Sequence, residues 1–460
     1  MIKLIKNEIF KILHKKGTYI VLIITALFMG LVSYLIGHES DMYFSSDEYY
    51  YPETGDSTEN EINKEMNDLY KKYNNETWQY YAMDSFYNVL TEYYYSKNND
   101  ALTDEIEKEY NDAKLAMVND NWQYFVNKDL TAEKERLKYF EENLKSATTD
   151  KEKKETEAQI FTTKVSIELL EYRLKENVKY GSDYLNVAIN NVKSSASSIK
   201  QYEIETNKEV KKDLEESVKR YYTNKYILET KENTNDAGDL RYIMTNFYSE
   251  YMFLILVFGV MISGAIVSEE YNKGTIKSLL ITPYKRSTIL LSKYITVVLL
   301  TILFIIIAYL MQLVIGGLFL GFTSLQNHVV IYNLASKSLE VMSSFKYTII
   351  NTIATLPQIL LLITLAFAAS TIIGNTALAI VITFAGVIGS SIINMFALSY
   401  NIEILKYFVT TNWDFNLYLF GGESAYGTSL THAIIVCIVY FLIMIITSFI
   451  VFNKRNIKNI

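Results

Sequence analysis

The chain has 460 residues, a formal net charge of -7 and a single cysteine, Cys437. One cysteine excludes an intrachain disulfide, so any domain outside the membrane must be held by packing alone, which suits a Gram-positive bacterium. The mean hydropathy of +0.08 would pass for a soluble protein. That average hides a partition. Residues 38–246 hold 28 Lys and Arg against 43 Asp and Glu, whereas the flanking residues are apolar and carry a basic excess. Charge therefore has to be read by compartment.

Residues 1–17 open the chain with Ile2, Ile5, Ile9, Ile12 and Leu13 at three- and four-residue spacing. That period predicts an amphipathic helix lying in the membrane interface, with Lys3, Lys6, Lys11 and His14 on its polar side. Residues 18–37 lack any charge. About 20 apolar residues suffice to cross a hydrocarbon core, so this is the first span. The flank Ile36-Gly37-His38-Glu39 has no small-x-small site, which argues against a cleaved signal peptide.

Residues 38–246 read as a helical domain with one proline, Pro52. Leu130, Leu137 and Leu144, then Ile160, Ile167, Leu170 and Leu174, predict an antiparallel helical hairpin over Thr131–Lys145 and Asp150–Lys179, a short coiled coil. Thr149 and Glu152 have the spacing of a capping box at the second helix. Aromatic clusters around Trp78, Tyr80, Phe86, Tyr94, Trp122 and Phe125 admit two readings. Packing of the domain core is the stronger. Capture of a cationic amphipathic peptide by an acidic, ring-rich surface is the sharper one.

The second span is expected over residues 247–267, then a cytoplasmic segment at 268–292. The remaining spans fall in 293–452, with outward loops near 323–346 and 399–430. The run Tyr294–Phe322 allows one span plus a loop. Tyr347–Ile402 is too long for one helix and should break at Gly374-Asn375, a turn pair. Residues 453–460 form a tail. Basic clusters precede the first span, separate the second from the third and follow the sixth. Six spans put all three clusters on one side, and the positive-inside rule makes that side cytoplasmic, both termini included. The expected fold is thus an all-α membrane protein with six transmembrane helices and a mainly helical extracytoplasmic domain.

No phosphate-loop glycine motif, zinc-binding His-Glu-x-x-His or paired-cysteine motif occurs. The chain is not read as an enzyme and no cofactor or metal is expected. The spans so drawn contain no ionisable residue, which speaks against an ion-coupled carrier. Pro357 can kink the fourth span, and Gly316, Gly317 and Gly374 are candidate hinge or pore positions.

The segment after the second span carries Glu269-Glu270, Lys273-Gly274-Thr275, Leu279-Leu280, Pro283, Arg286 and Lys293. Ser287 can cap the helix that follows. This run resembles the corresponding segment of ABC-2-type permeases, the membrane subunits of ATP-binding-cassette exporters. In that family the acidic residue and the Gly-Thr pair open a coupling helix that sits on the ATPase. The N-terminal helix resembles the family's elbow helix, and Phe408–Gly421 resembles its re-entrant outward piece. The resemblance covers the membrane part and leaves residues 41–246 uncovered. It implies a bacterial cell-membrane permease driven by a separate ATPase subunit, paired with a second permease copy or paralogue and embedded in the lipid bilayer, with no nucleic acid. The cargo would be an amphipathic or hydrophobic substrate moved outward: an antimicrobial peptide, lipid or drug. Two alternatives stay open. One is a membrane-anchored receptor or scaffold with a helical outer domain, resembling the phage-infection-protein family. The other is an ABC-linked device that transmits force.

Overall fold

The protein is seen here as a computed structural model that describes every residue except 44–50, 53–54, 205–207, 235–237, 277–282, 401, 423, 425 and 456–460. The chain divides into two units, Met1–His38 with Asp236–Ile460, and Glu39–Asn235.

In chain order, the elements that open the first unit are α1 (Ile2–Leu13) and α2 (Lys16–Tyr43). The inserted unit contains α3 (Ser57–Lys72), α4 (Trp78–Tyr81), α5 (Met83–Asn98), α6 (Asp104–Val118), α7 (Trp122–Ser146), α8 (Asp150–Glu176), α9 (Tyr184–Ile204) and α10 (Lys208–Thr230). The chain returns through α11 (Leu240–Thr245), α12 (Phe247–Asn272) and α13 (Arg286–Leu320). A hairpin, β1 (His328–Asn333) and β2 (Ser338–Ser343), leads into α14 (Ser344–Ile373), α15 (Thr376–Tyr400), α16 (Phe415–Leu419) and α17 (Leu430–Lys454).

Among the described residues six helices are long and apolar enough to cross a membrane: α2, α12, α13, α14, α15 and α17. The protein is an all-α membrane protein. Helices α12 and α14 are the most buried of the six, and α2, α15 and α17 keep most of their surface outward. Little hydrophobic drive exists between helices in lipid, so close approach and interhelical hydrogen bonds carry the packing. Both are seen here. A Cβ on Gly259 of α12 would lie 2.8 Å from Ile363 Cγ2 of α14, so only glycine fits the crossing. One turn on, Ser263 Oγ donates to the Ile363 carbonyl at 2.5 Å, and Ser370 Oγ donates to the Gly264 carbonyl at 2.7 Å. Phe258 and Phe304 stack at 4.0 Å between α12 and α13. Gln312 of α13 donates to Ser33 Oγ of α2 at 3.0 Å.

The break between the fourth and fifth spans falls at Gly374-Asn375. Gly374 ends α14 in the left-handed region, φ +76°, a conformation that favours glycine. Asn375 Oδ1 then accepts from the Leu378 amide in the first turn of α15. Four expectations need correction. The run Tyr294–Phe322 is not a span plus a loop: α13 is one helix of 35 residues that begins at Arg286, so Lys293 lies inside it. Its N-terminal cap is Lys285, without a side-chain bond, and Ser287 sits one residue inside the helix. The segment 323–346 opens with a 3-10 turn and then contains the antiparallel hairpin, with Val330 opposite Val341. Its β-branched run His328-Val329-Val330-Ile331-Tyr332 was the signal for a strand. The inserted unit also ends sooner than residue 246: α11 belongs to the membrane unit, with Leu240 and Ile243 fully buried.

Among its described residues the inserted unit has two cores. Met66, Phe86, Trp122 and Phe125 centre the first, built by α3 to α7. Val165, Leu169, Ile189, Val192 and Ile227 centre the second, built by α8 to α10. Helix α8 serves both. Its Leu170 and Leu174 lean on the first core while Val165 and Leu169 fill the second, so its apolar residues do not gather on one stripe. The Thr149/Glu152 capping box is present, and α7 packs against α8. The aromatic residues are mainly structural. The Glu65 carboxylate accepts from Tyr94 at 2.8 Å, Tyr110 at 2.9 Å and Lys114 at 3.0 Å. Burial, with that carboxylate alongside, pushes the Tyr94 and Tyr110 hydroxyls up, so both stay neutral donors.

Asp129 on α7 accepts only long bonds, from Ser85 at 3.3 Å and Tyr180 at 3.4 Å. Burial raises its carboxyl above the usual range. A raised folded-state value favours the protonated form, so its contribution is present in acid and is lost as pH rises through that value. Asp129→Asn should therefore raise the melting temperature near neutral pH. The gain should shrink as the solution is acidified. A pH series of melts followed by tryptophan fluorescence measures it, since Trp78 and Trp122 lie in this unit.

Candidate functional site

Helix α1 docks on the membrane unit by a charged face as well as an apolar one. Ile12 is buried, and Ile9 packs on the same core. Ile2 and Leu13, expected on the apolar face that lies in the membrane interface, are exposed at 80 % and 36 %. The remaining buried residue on α1 is Glu8, one turn before Ile12. Its carboxylate accepts from Lys293 Nζ at 2.6 Å. Lys293 is only 1 % exposed and also reaches Glu270 of α12 at 3.4 Å. Lys11 of α1 pairs with the same Glu270 carboxylate. Thr275 Oγ1 donates to the other Glu270 oxygen. A second pair lies beside the first: Lys15 binds both Glu269 oxygens at 2.7 and 2.8 Å, and Lys273 approaches Glu269 at 3.1 Å.

The cluster therefore ties α1, the last turn of α12 and the second turn of α13 together. Buried charges survive only when paired and hydrogen-bonded. Glu270 meets that condition with two ammonium groups and a hydroxyl. Burial works against the Lys11 charge, but the bond and charge of Glu270, with Glu8 and Glu269, outweigh it and hold the ammonium above its ordinary value.

A second junction adjoins the first. Arg286 donates to the carbonyls of Asn453 and Arg455 at 3.1 and 3.2 Å, closing the end of α17. Arg455 in turn donates to the Thr371 carbonyl of α14 at 3.1 Å and lies 4.4 Å over the Tyr271 ring of α12. Cations at helix C-termini satisfy the orphan carbonyls and complement the helix dipole.

Of the residues picked from sequence, Glu269, Glu270, Lys273, Gly274, Thr275 and Arg286 do converge on this end of the bundle. They do so largely by bonding to one another and to neighbouring helices, with Lys273 and Gly274 outward. Gly274 adopts φ +68°, a left-handed turn that lets Thr275 fold back on Glu270. Pro283 is exposed. Leu279 and Leu280 lie outside the described residues. The hinge candidates do not form one site. A Cβ on Gly316 would meet Leu240 Cδ1 at 2.7 Å, and one on Gly317 would meet the Phe322 ring, so both are close-packing positions at the far end of α13. Pro357 sits inside α14, and Gly374 lies against Arg455 at the basic end.

Two partners escaped the sequence reading. Glu8 was passed over as one acid among lysines. Lys293 was counted only among the basic residues before the third span, and the expectation that no span carries a buried ionisable group fails at Lys293 of α13 and at Glu270 of α12. The signal for both was weak: Glu8 falls one turn before Ile12, on the apolar side of α1. The Phe408–Gly421 segment follows a 3-10 turn at Glu403–Tyr407 and contains another at Val409–Thr411, and then α16. It returns Trp413 to a buried position against Leu256, Leu361, Leu362 and Cys437.

Fold and site together define a six-span α-helical membrane protein whose N-terminal helix is latched to its bundle by buried ion pairs. The chain belongs to the family described as protein of unknown function DUF2705, whose model matches residues 210–458. It is 28 % identical over 264 residues to the uncharacterized protein YhcI of Bacillus subtilis, covering 55 % of this chain and 82 % of that one. It is 26 % identical over 211 residues to the uncharacterized membrane protein YdbK of the same organism, covering 45 % and 78 %. No solved structure matches.

Proposed function

We propose that this protein is the membrane-spanning permease subunit of an ABC-type exporter, driven by a separate ATPase subunit that docks on the basic end. The supporting observation is the latch itself. Glu269, Glu270 and Thr275 join the turn after α12 to α1 and to Lys293 of α13. A push on the turn around Gly274 would reach three helices at once, through buried pairs that resist stretching. The resemblance of this segment to the coupling region of ABC-2-type permeases points to an ATPase as the source of that push. Basic clusters at this end favour a cytoplasmic position, with both termini inside and the inserted unit outside. The substrate class is amphipathic or hydrophobic, and a second permease copy or paralogue completes the path.

The test is gentle purification of the whole chain followed by identification of what accompanies it. A separate ATP-binding subunit should copurify. Glu269→Gln and Gly274→Val should each reduce its recovery about tenfold or more, the scale of losing an interface hot spot. Absence of any ATP-binding partner, with no effect of either substitution, would refute the proposal.

A further inference from the structure

A cleft of about 210 Å³ opens beside the latch, between α1, the first turns of α2 and the last four turns of α12. Its two ends differ in chemistry. At the basic end Lys11 and Lys15 stand over Glu269 and Glu270. Further along α12 the wall is Phe258, Met261, Ile262 and Ala265. From Glu270 to Phe258 along the helix is about 18 Å at 1.5 Å per residue. Met261 stays 40 % exposed, so the apolar end opens at the side of the bundle, where a spanning helix meets acyl chains.

The two cations decide the charge of the occupant. An ammonium has three donors. Glu270 takes Lys11 and Glu269 takes Lys15, yet the Lys11 and Lys15 side chains remain 46 % and 35 % exposed. The Glu270 side chain is 4 % exposed and Glu8 10 %, so their negative charge is turned inward to Lys293. The cleft thus presents N–H donors outward and turns Glu8 and Glu270 inward, while Glu269, 27 % exposed, is neutralised at the mouth by Lys15 and Lys273. A phosphate at the mouth would complete the charge-assisted bonds, and a hydrocarbon chain would cover the apolar wall.

We infer that this cleft is a binding site for one anionic phospholipid, phosphate on Lys11 and Lys15 and acyl chain along Phe258 to Ala265. The lipid would fill the gap between the latch helix and α12, and so would set how firmly α1 is held. The inference needs only the membrane location of the protein and stands apart from the transport proposal.

The experiment uses the full chain in nanodiscs mixing phosphatidylglycerol with phosphatidylcholine, followed by delipidation and native mass spectrometry. Wild-type protein should retain phosphatidylglycerol preferentially at about one molecule per chain. Lys11→Gln and Lys15→Gln should each weaken retention about fivefold, the scale of one lysine against an anionic lipid. Ala265→Phe fills the apolar end without touching an ion pair and should also weaken it, which keeps the test valid if a lysine variant folds poorly. Lys3→Gln, on the outward side of α1, should change nothing. Four results would overturn the inference. These are no preference for the anionic lipid, equal retention in Ala265→Phe, equal weakening by Lys3→Gln, or displacement by inorganic phosphate, which would mark a plain anion site.

Discussion

Lys293→Met should cost this protein about 3–5 kcal/mol, the range for removing one partner of a buried pair. The methionine keeps the unbranched apolar stem of the lysine and is one heavy atom shorter. What it loses is the ammonium 2.6 Å from Glu8 and 3.4 Å from Glu270. Glu270 would still hold Lys11 and Thr275, but Glu8 would be left without the counter-charge it faces here. Most of the loss should therefore come from an unpaired Glu8. The double variant Glu8→Gln with Lys293→Met removes both charges and should recover most of the stability. Thermal denaturation of the four proteins in one detergent closes the cycle. Equal stability of wild type and Lys293→Met would show that the latch holds nothing.

Phe125→Ala should be the costliest single truncation in the inserted unit, at about 3–5 kcal/mol for a fully buried ring. Phe125 is 0 % exposed and contacts Trp78, Phe86 and Tyr124 at ring separations of 6.0, 6.3 and 5.3 Å. Its removal opens a void at the junction of α4, α5 and α7. Tyr139→Ala, at a ring 60 % exposed, should change stability little. Urea denaturation read from Trp78 and Trp122 distinguishes the two. A near-neutral Phe125→Ala would return the aromatic clusters to the role of a capture surface.

The apolar runs carried most of the membrane fold. A span is selected by length and absence of charge, and both are visible in one dimension. Gly374-Asn375 was legible for the same reason, since only a left-handed glycine and a capping asparagine could break so long an apolar stretch. The capping box at Thr149 was equally local. What escaped was pairwise. Glu8 and Lys293 are 285 positions apart, and no periodicity marks them as partners. Lys293 was read only as a topology signal under the positive-inside rule, and that reading masked its place at the centre of an ion cluster. The α8 stripe was misleading because the helix divides its apolar residues between two cores. The hairpin was missed because a short β-branched run between long helices reads as a loop.

In the proposed exporter, force enters at the turn after α12. Cys437 is the only native cysteine and is buried, so a single reactive thiol can be placed at will. Lys273, with its side chain 63 % exposed, is the position of choice. Site-specific cross-linking from Lys273→Cys in native membranes is the direct measurement. An ATPase docked at this turn predicts a cross-link to a separate ATP-binding subunit, with yield changing when ATP is added, and no labelling of the thiol by impermeant reagent from outside the cell. A thiol labelled from outside, or cross-links that reach no ATP-binding protein, would contradict it.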